Sequence, residues 1–291
     1  MIFYLTEGRH AYTMRGYLDS FAPDLAERIC LLAYQDDNKP LPGTYIFADV
    51  ERLHGRQTRR ALRFWSVLHR EGCRLLNHPQ LSMRRYRLLK TLHRQGINEF
   101  NVFRPWERIF NRFAYPVFLR GENDHRGTRS DLIRTPQMLR RARFRRPFSL
   151  ITEFCDTRGE DGLYRKYSAM RVGGRILPRH VFFSKHWMIK HADLCDERLL
   201  AEELHYLAEN PHANEVMAIF ELAGIDYGRI DYSLCRGRIQ VWEINTNPSV
   251  LTAESLLLPQ RRPVAEAFAG PFREALLALE ASPGDSERII G

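Results

Sequence analysis

The sequence predicts an α/β protein. Three observations carry that reading. Short apolar runs alternate with stretches of helical spacing through the first 76 residues. Two long strand pairs, each closed by a glycine-bearing turn, occupy the second half. The composition, 44% hydrophobic and 11% aromatic, is that of a packed chain and not a disordered one. At 291 residues, about three quarters of the unfolded surface can be buried, enough for a large domain or several small lobes.

The elements follow in order. Residues 2–5, 31–34 and 45–47 read as strands and 11–21 as a helix. Residues 56–70 carry Ala61, Leu62, Trp65 and Leu68 at helical spacing. A short strand at 75–76 runs into the Asn77-His78-Pro79 turn. The helix predicted over 82–95 is stopped by Gly96. Strands are expected at 115–119 and 148–154, and a hairpin at 164–172 and 175–183 around Gly173-Gly174. Helices are expected at 196–208 and 214–222, and a second hairpin at 230–234 and 239–245. The chain thus divides into a small α/β domain over 1–76, a larger domain over 77–280 and a frayed tail over 281–291.

The net charge is +9, from 44 basic and 35 acidic side chains. Only Lys39, Lys90, Lys166, Lys185 and Lys190 are lysine, so the basic side chains are mostly arginine. Such a balance favours anionic partners. Arg134, Arg140, Arg141, Arg143, Arg145 and Arg146 form a run without an acid, read as a solvated face. Phe144 is the one aromatic inside it, short of the stacking platform that single-stranded nucleic acid needs. Five scattered cysteines without a Cys-x-x-Cys pair argue against a disulfide framework or a zinc site. No leader-like segment and no apolar run of membrane length is seen, so a cytoplasmic protein without a membrane span is expected.

The most informative segment is Gly224 to Pro248. It presents Asp231, then Glu243, Asn245 and Pro248. Glu243 and Asn245 share a strand face, because side chains alternate. A two-residue turn at Arg236-Gly237 would set Asp231 opposite Trp242, on the wrong face. A three-residue loop over Cys235, Arg236 and Gly237 sets it opposite Val241, one diagonal from Glu243, and is the turn expected here. Two carboxylates and an amide oxygen on one face suit Mg²⁺, a hard ion that takes oxygen ligands.

On these residues the chain resembles the ATP-grasp superfamily, in particular carboxylate–amine ligases of the ribosomal-protein glutamate ligase type. The resemblance covers roughly residues 75–250 and is strongest at the Asp-hairpin-Glu-x-Asn-x-x-Pro pattern. It implies an ATP-grasp fold with a short N-terminal α/β domain, and Mg²⁺ bridging ATP phosphates through Asp231, Glu243 and Asn245. It also implies that Ile151 to Asp156 form the hinge strand. Glu153, with the Phe154 and Cys155 backbone, would meet adenine and Asp156 the ribose. Arg120 stands where the family places a lysine, and Arg120 and Lys166 are the expected phosphate contacts. Gly121 to Gly127 is the only trace of a phosphate loop. Arg179 or Arg165 would stabilise an oxyanion. The implied activity is an ATP-dependent carboxylate–amine (or thiol) ligase acting through an acyl phosphate and releasing ADP. Its substrates would be a small-molecule or peptide carboxylate and an amine acceptor. The alternatives are an ATP-grasp phosphotransferase, or a protein that binds RNA or an acidic partner through the arginine run.

Overall fold

The computed structural model describes residues 1–107, 113–123, 128–251 and 259–280. Its first sheet is built from β1 (Ile2–Thr6), β2 (Ile29–Ala33), β3 (Thr44–Phe47) and β4 (Arg74–Leu76), all parallel, in the order β2-β1-β3-β4. Helices α1 (Tyr12–Phe21) and α2 (Arg56–Arg70) connect them. A parallel sheet covered on both faces explains the unbroken apolar runs. Phe3, Leu5, Tyr45 and Phe47 pack towards Ala61 and Leu68 of α2. Ile2, Tyr4 and Ile46 turn to the other face, against Met14, Tyr17 and Leu18 of α1.

Next comes α3 (Arg85–Arg94), which buries Leu88, Leu89 and Leu92. The chain leaves it through Gly96 at φ +70°, a conformation glycine adopts without strain. A small antiparallel sheet follows, in the order β5-β7-β6, from β5 (Val102–Phe103), β6 (Val117–Arg120) and β7 (Leu150–Glu153). Helix α4 (Pro136–Arg145) lies against it. Thr135 caps that helix by accepting the Met138 N–H at 3.3 Å. Most of the arginine run therefore belongs to a helix, of which only Leu139 is buried.

The third sheet is antiparallel, in the order β11-β10-β8-β9. Its strands are β8 (Tyr164–Val172), β9 (Arg175–Ser184), β10 (Tyr227–Cys235) and β11 (Arg238–Asn245). Helices α5 (Glu197–Glu209) and α6 (Ala213–Ala223) supply Leu199, Tyr206, Val216 and Phe220 to cores on one face. The last helix, α7 (Arg262–Glu280), contributes Phe268, Phe272 and Leu276 to a core shared with Met170 and Val172 of β8 and Ile2, Tyr4 and Ile46 of the parallel sheet. The first and third sheets thus share one hydrophobic interior. Sequence reading does not find α7, which carries Pro271 in its middle, a residue that normally signals a helix end. The expected tail over 281–291 lies outside the described residues. No helix among the described residues is long and apolar enough to cross a membrane.

Candidate nucleotide and metal site

The β10–β11 hairpin turns on two residues. Arg236 and Gly237 take φ +51° and +74°, and Cys235 pairs with Arg238. Positive φ at both positions is the type I′ geometry whose twist matches a hairpin. The three-residue loop expected from the sequence is therefore incorrect. A β-bulge makes up the difference. Asp231 pairs with Glu243, the next residue Tyr232 pairs with Val241, and Trp242 has no place in the register. The extra residue restores what the shorter turn would have lost. Asp231 faces Glu243, Arg229 faces Asn245, and all four side chains share one face. The bulged Trp242 offers its carbonyl to Arg120 Nη1 at 3.0 Å.

The two carboxylates are held by different cations. Asp231 accepts the Ser168 hydroxyl and Arg229 Nε (2.9 Å), with Lys166 Nζ 3.9 Å away. Glu243 accepts from Arg85 and from Arg120 Nη2 (2.9 Å). Asn245 Oδ1 accepts the Asn247 N–H at 2.8 Å. Lys166 also donates to the Ile189 carbonyl at 2.9 Å, and its burial lowers its pKa against the pull of Asp231.

Asp231 and Glu243 lie on the wall of a cavity of about 290 Å³. Arg120, Lys166, Lys190 and Arg229 give it a cationic lining; Phe118, Phe154, Tyr164, Trp187 and Met188 give it an aromatic and apolar one. The Trp187 ring lies 5.0 Å from Phe118 and 5.7 Å from Phe154. Cys155 and Thr157 complete the hinge side. Behind Cys155 the Cys235 thiol and the Glu99 carboxylate approach, all three within 4.8 Å of one another. Burial pushes the Cys155 thiol up to about 12 and raises Cys235 as well, so both stay protonated at neutral pH.

Not every residue expected from the sequence faces this cavity. Glu153 does not face the cavity. Its two carboxylate oxygens accept the Asn101 and Ala114 N–H groups at 2.9 and 2.8 Å. Strand alternation turns Phe154 to the cavity and its predecessor away. Arg165 likewise points away, because its neighbour Lys166 points in. It is paired to Asp161 at 2.8 Å and to Glu202 of α5 at 3.0 Å. Asp156 is exposed beside the hinge and paired to Arg158 at 3.0 Å. Arg179 falls in a bulge of β9, where Ser168 pairs with His180 and Ala169 with Pro178. Its guanidinium lies over Phe268 at 4.9 Å, and Nε donates to the Val250 carbonyl at 3.0 Å. Arg179 and His180 stand close to Arg229, and burial followed by these charges holds the His180 imidazole well below its ordinary pKa. Of the expected phosphate loop, residues 124–127 lie outside the described residues.

Trp187, Phe118, Tyr164, Thr157 and Arg229 escaped sequence reading. Arg229 has the one readable signal, since it sits two residues before Asp231 and so on its face.

No family model matches the chain, and no curated protein matches it. Solved structures do. One is D-alanine–D-alanine ligase from Bacillus anthracis complexed with ATP, 12% identical, covering 96% of this chain and 98% of that one with a TM-score of 0.50. D-cycloserine synthetase DcsG is 15% identical over 93% of this chain and 99% of its own, with a TM-score of 0.52. The D-alanine–D-alanine ligase from Coxiella burnetii is 12% identical over 96% and 97%, also at 0.52. The chain has the ATP-grasp fold, a mixed α/β architecture matched along nearly its whole length.

The residues fit the groups this fold implies. An aromatic slot leading to a cluster of cations suits a purine and its phosphates, and Asp231, Glu243 and Asn245 bring a purely oxygen donor set to one strand face. The guanidinium groups now on these carboxylates are the ones polyphosphate oxygens would attract.

Proposed function

We propose that this protein is an ATP-dependent carboxylate–amine ligase that works through an acyl phosphate. The observation that carries the reading is the meeting, in one cavity, of an aromatic slot, four cations and two carboxylates in register. The structural likeness to two D-alanine–D-alanine ligases and to D-cycloserine synthetase supports it.

In this reading Phe118, Trp187 and the Phe154–Cys155 backbone receive adenine. Arg120, Lys166 and Arg229 orient the phosphates, and Arg179 and His180 stand close to Arg229. Asp231, Glu243 and Asn245 hold Mg²⁺, which when bound neutralises charge on the transferring phosphoryl group. The chain itself contributes positioning. The bulge fixes the carboxylates opposite each other, and the Arg120 bond to the Trp242 carbonyl fixes the guanidinium. A substrate carboxylate attacks the terminal phosphorus, ADP leaves, and an amine then displaces phosphate from the acyl carbon.

Hydroxylamine tests this directly. ATP, Mg²⁺, a panel of amino acids and acidic dipeptides, and hydroxylamine should together yield hydroxamate and ADP in equal amounts. ADP without hydroxamate would instead indicate transfer to a hydroxyl or to water, and neither product would refute the assignment.

A further inference from the structure

The carboxyl edge of the parallel sheet carries a second polar cluster that the nucleotide cavity does not use. Asp49 follows β3, is 1% exposed and takes φ +57°, a left-handed conformation that strains a non-glycine residue. Its Oδ2 accepts His10 Nδ1 at 2.9 Å and Asn247 Nδ2 at 3.0 Å. Arg52 Nε lies 3.4 Å from Oδ1. Asn247 Oδ1 accepts the hydroxyls of Thr13 (2.5 Å) and Tyr4 (2.8 Å), and its amide also donates to the His10 carbonyl at 3.2 Å. Asn247 is two residues beyond Asn245, so this cluster is tied to the end of the strand that carries Glu243.

The contacts orient the imidazole. Arg52 Nη1 lies 2.9 Å from His10 Nε2 and 3.4 Å from Nδ1, so the guanidinium rests against the ring and leaves the in-plane edge of Nε2 clear. The ionised Asp49 accepts from Nδ1. With Nδ1 turned to Asp49, Nε2 is the ring nitrogen left to exchange a proton with a ligand. The side chains of His10 and Arg52 remain 14% and 28% exposed, whereas Asp49 behind them is closed off. The other charged groups facing this ring are Glu7, with Oε2 3.5 Å from Nδ1, and Glu51, which adds to burial in raising the Asp49 pKa.

We propose that His10 is the general base that deprotonates the acceptor amine, that Asp49 is its positioning residue, and that Arg52 binds a carboxylate on the same acceptor. The acceptor is thereby an amino acid or a peptide-like amine carrying a carboxylate. This rests on the ligase reading. An ammonium has no lone pair, so aminolysis needs a base. In the nucleotide cavity Asp231 and Glu243 are engaged by cations, and His180 is buried among Arg179, Arg229 and Lys166. His191 also lines that cavity, without an ion pair among the described residues. His10 combines a partly exposed ring with a buried carboxylate behind it.

The proton balance is simple. One N–H bond of the ammonium breaks and its proton goes to His10 Nε2. The nitrogen pair then attacks the acyl carbon, a C–N bond forms, and the C–O bond to phosphate breaks with its electrons leaving on phosphate. The second proton shed by nitrogen goes to a phosphate oxygen. Arg52 turns from the His10 ring to the acceptor's carboxylate.

Hydroxylamine separates this from the ligase reading, because it is largely unprotonated at neutral pH and needs no base. His10→Gln should keep hydroxamate formation while amide formation with amino-acid acceptors falls roughly a hundredfold or more. Arg52→Gln should raise KM for those acceptors by a larger factor than it raises KM for ethylamine, which has no carboxylate. Asp49→Asn should shift the pH profile of amide formation. Nitrogen NMR of the imidazole should show the Nδ1-protonated form in the wild type. Equal loss of hydroxamate and amide in His10→Gln, undiminished amide formation, or an Nε2-protonated ring would each overturn the proposal, and the ring spectrum decides even where a variant fails to fold. A wild type that forms no hydroxamate with any donor overturns the ligase reading itself, and this inference with it.

Discussion

The two four-stranded sheets carry their polar groups in different ways. In the antiparallel sheet the polar side chains run along one face, with Lys166, Ser168, Arg229, Asp231 and Glu243 projecting from neighbouring strands. In the parallel sheet both faces are largely apolar, and the cluster of His10, Asp49 and Arg52 lies beyond the carboxyl ends of the strands. A covered sheet has no free face, so chemistry is confined to its edge. A sheet with an open face can display a row of groups at fixed spacing. The first arrangement needs long-range contacts to assemble; the second needs only alternation and register.

The sharpest way to break the comparison is at the open face. Glu243→Gln should lower ligase turnover on the order of a hundredfold or more, measured as ADP release, while circular dichroism stays folded. Near-normal turnover would mean the face is only a polar surface. The covered sheet should behave in the opposite way. Ile46→Ala, at a fully buried position shared with α1 and α7, should cost about 2–5 kcal/mol by denaturant unfolding and leave the activity of the folded fraction unchanged.

A smaller effect probes the turn that sets the register. Arg236 takes φ +51° where glycine is at home, so Arg236→Gly should stabilise by about 1 kcal/mol. In a chain of this size that is about 2–4 °C in the melting midpoint. A lower midpoint would show that the guanidinium makes up for the strain. The smallest effect is a slope. His180 is buried and held neutral in the fold by desolvation and by Arg179, Arg229 and Lys166, whereas in the unfolded chain it takes a proton near its ordinary value of about 6.5. Below that pH the unfolded state binds more protons, so stability falls as acid is added. His180→Gln should flatten that decline between about pH 6.5 and 5, and identical slopes would show the imidazole to be charged in the fold.

The sequence foretold local features better than compensating ones. The spans of α2 and of the β8–β9 pair, and the stop at Gly96, follow from periodicity and from one glycine. The shared face of Asp231 and Glu243 was also legible, but by the wrong route. A bulge leaves no mark in an apolar pattern, so the displaced Trp242 could be read only as a paired residue, and the turn was lengthened to suit. Glu153 and Arg165 were misplaced because a motif names positions and does not say which way each strand faces; their neighbours Phe154 and Lys166 take the cavity side. Helix α7 was hidden by Pro271, whose tolerance depends on what packs around it. Asp49 gave no local sign, since its partners come from residues 10, 52 and 247.

The shared interior beneath α7 makes the first and third sheets a single anvil, while the three-stranded sheet keeps a small core of its own around Val117, Leu119, Leu139 and Ile151. Its inner residues are not separate: Val102 of β5 and Leu150 of β7 join the core that holds Val241 and Ile244 of the antiparallel sheet. Arg120 adds a polar tie, reaching across to Glu243 and to the Trp242 carbonyl. A bridge this buried is little screened by salt, so the tie between the two sheets should hold across ionic strengths.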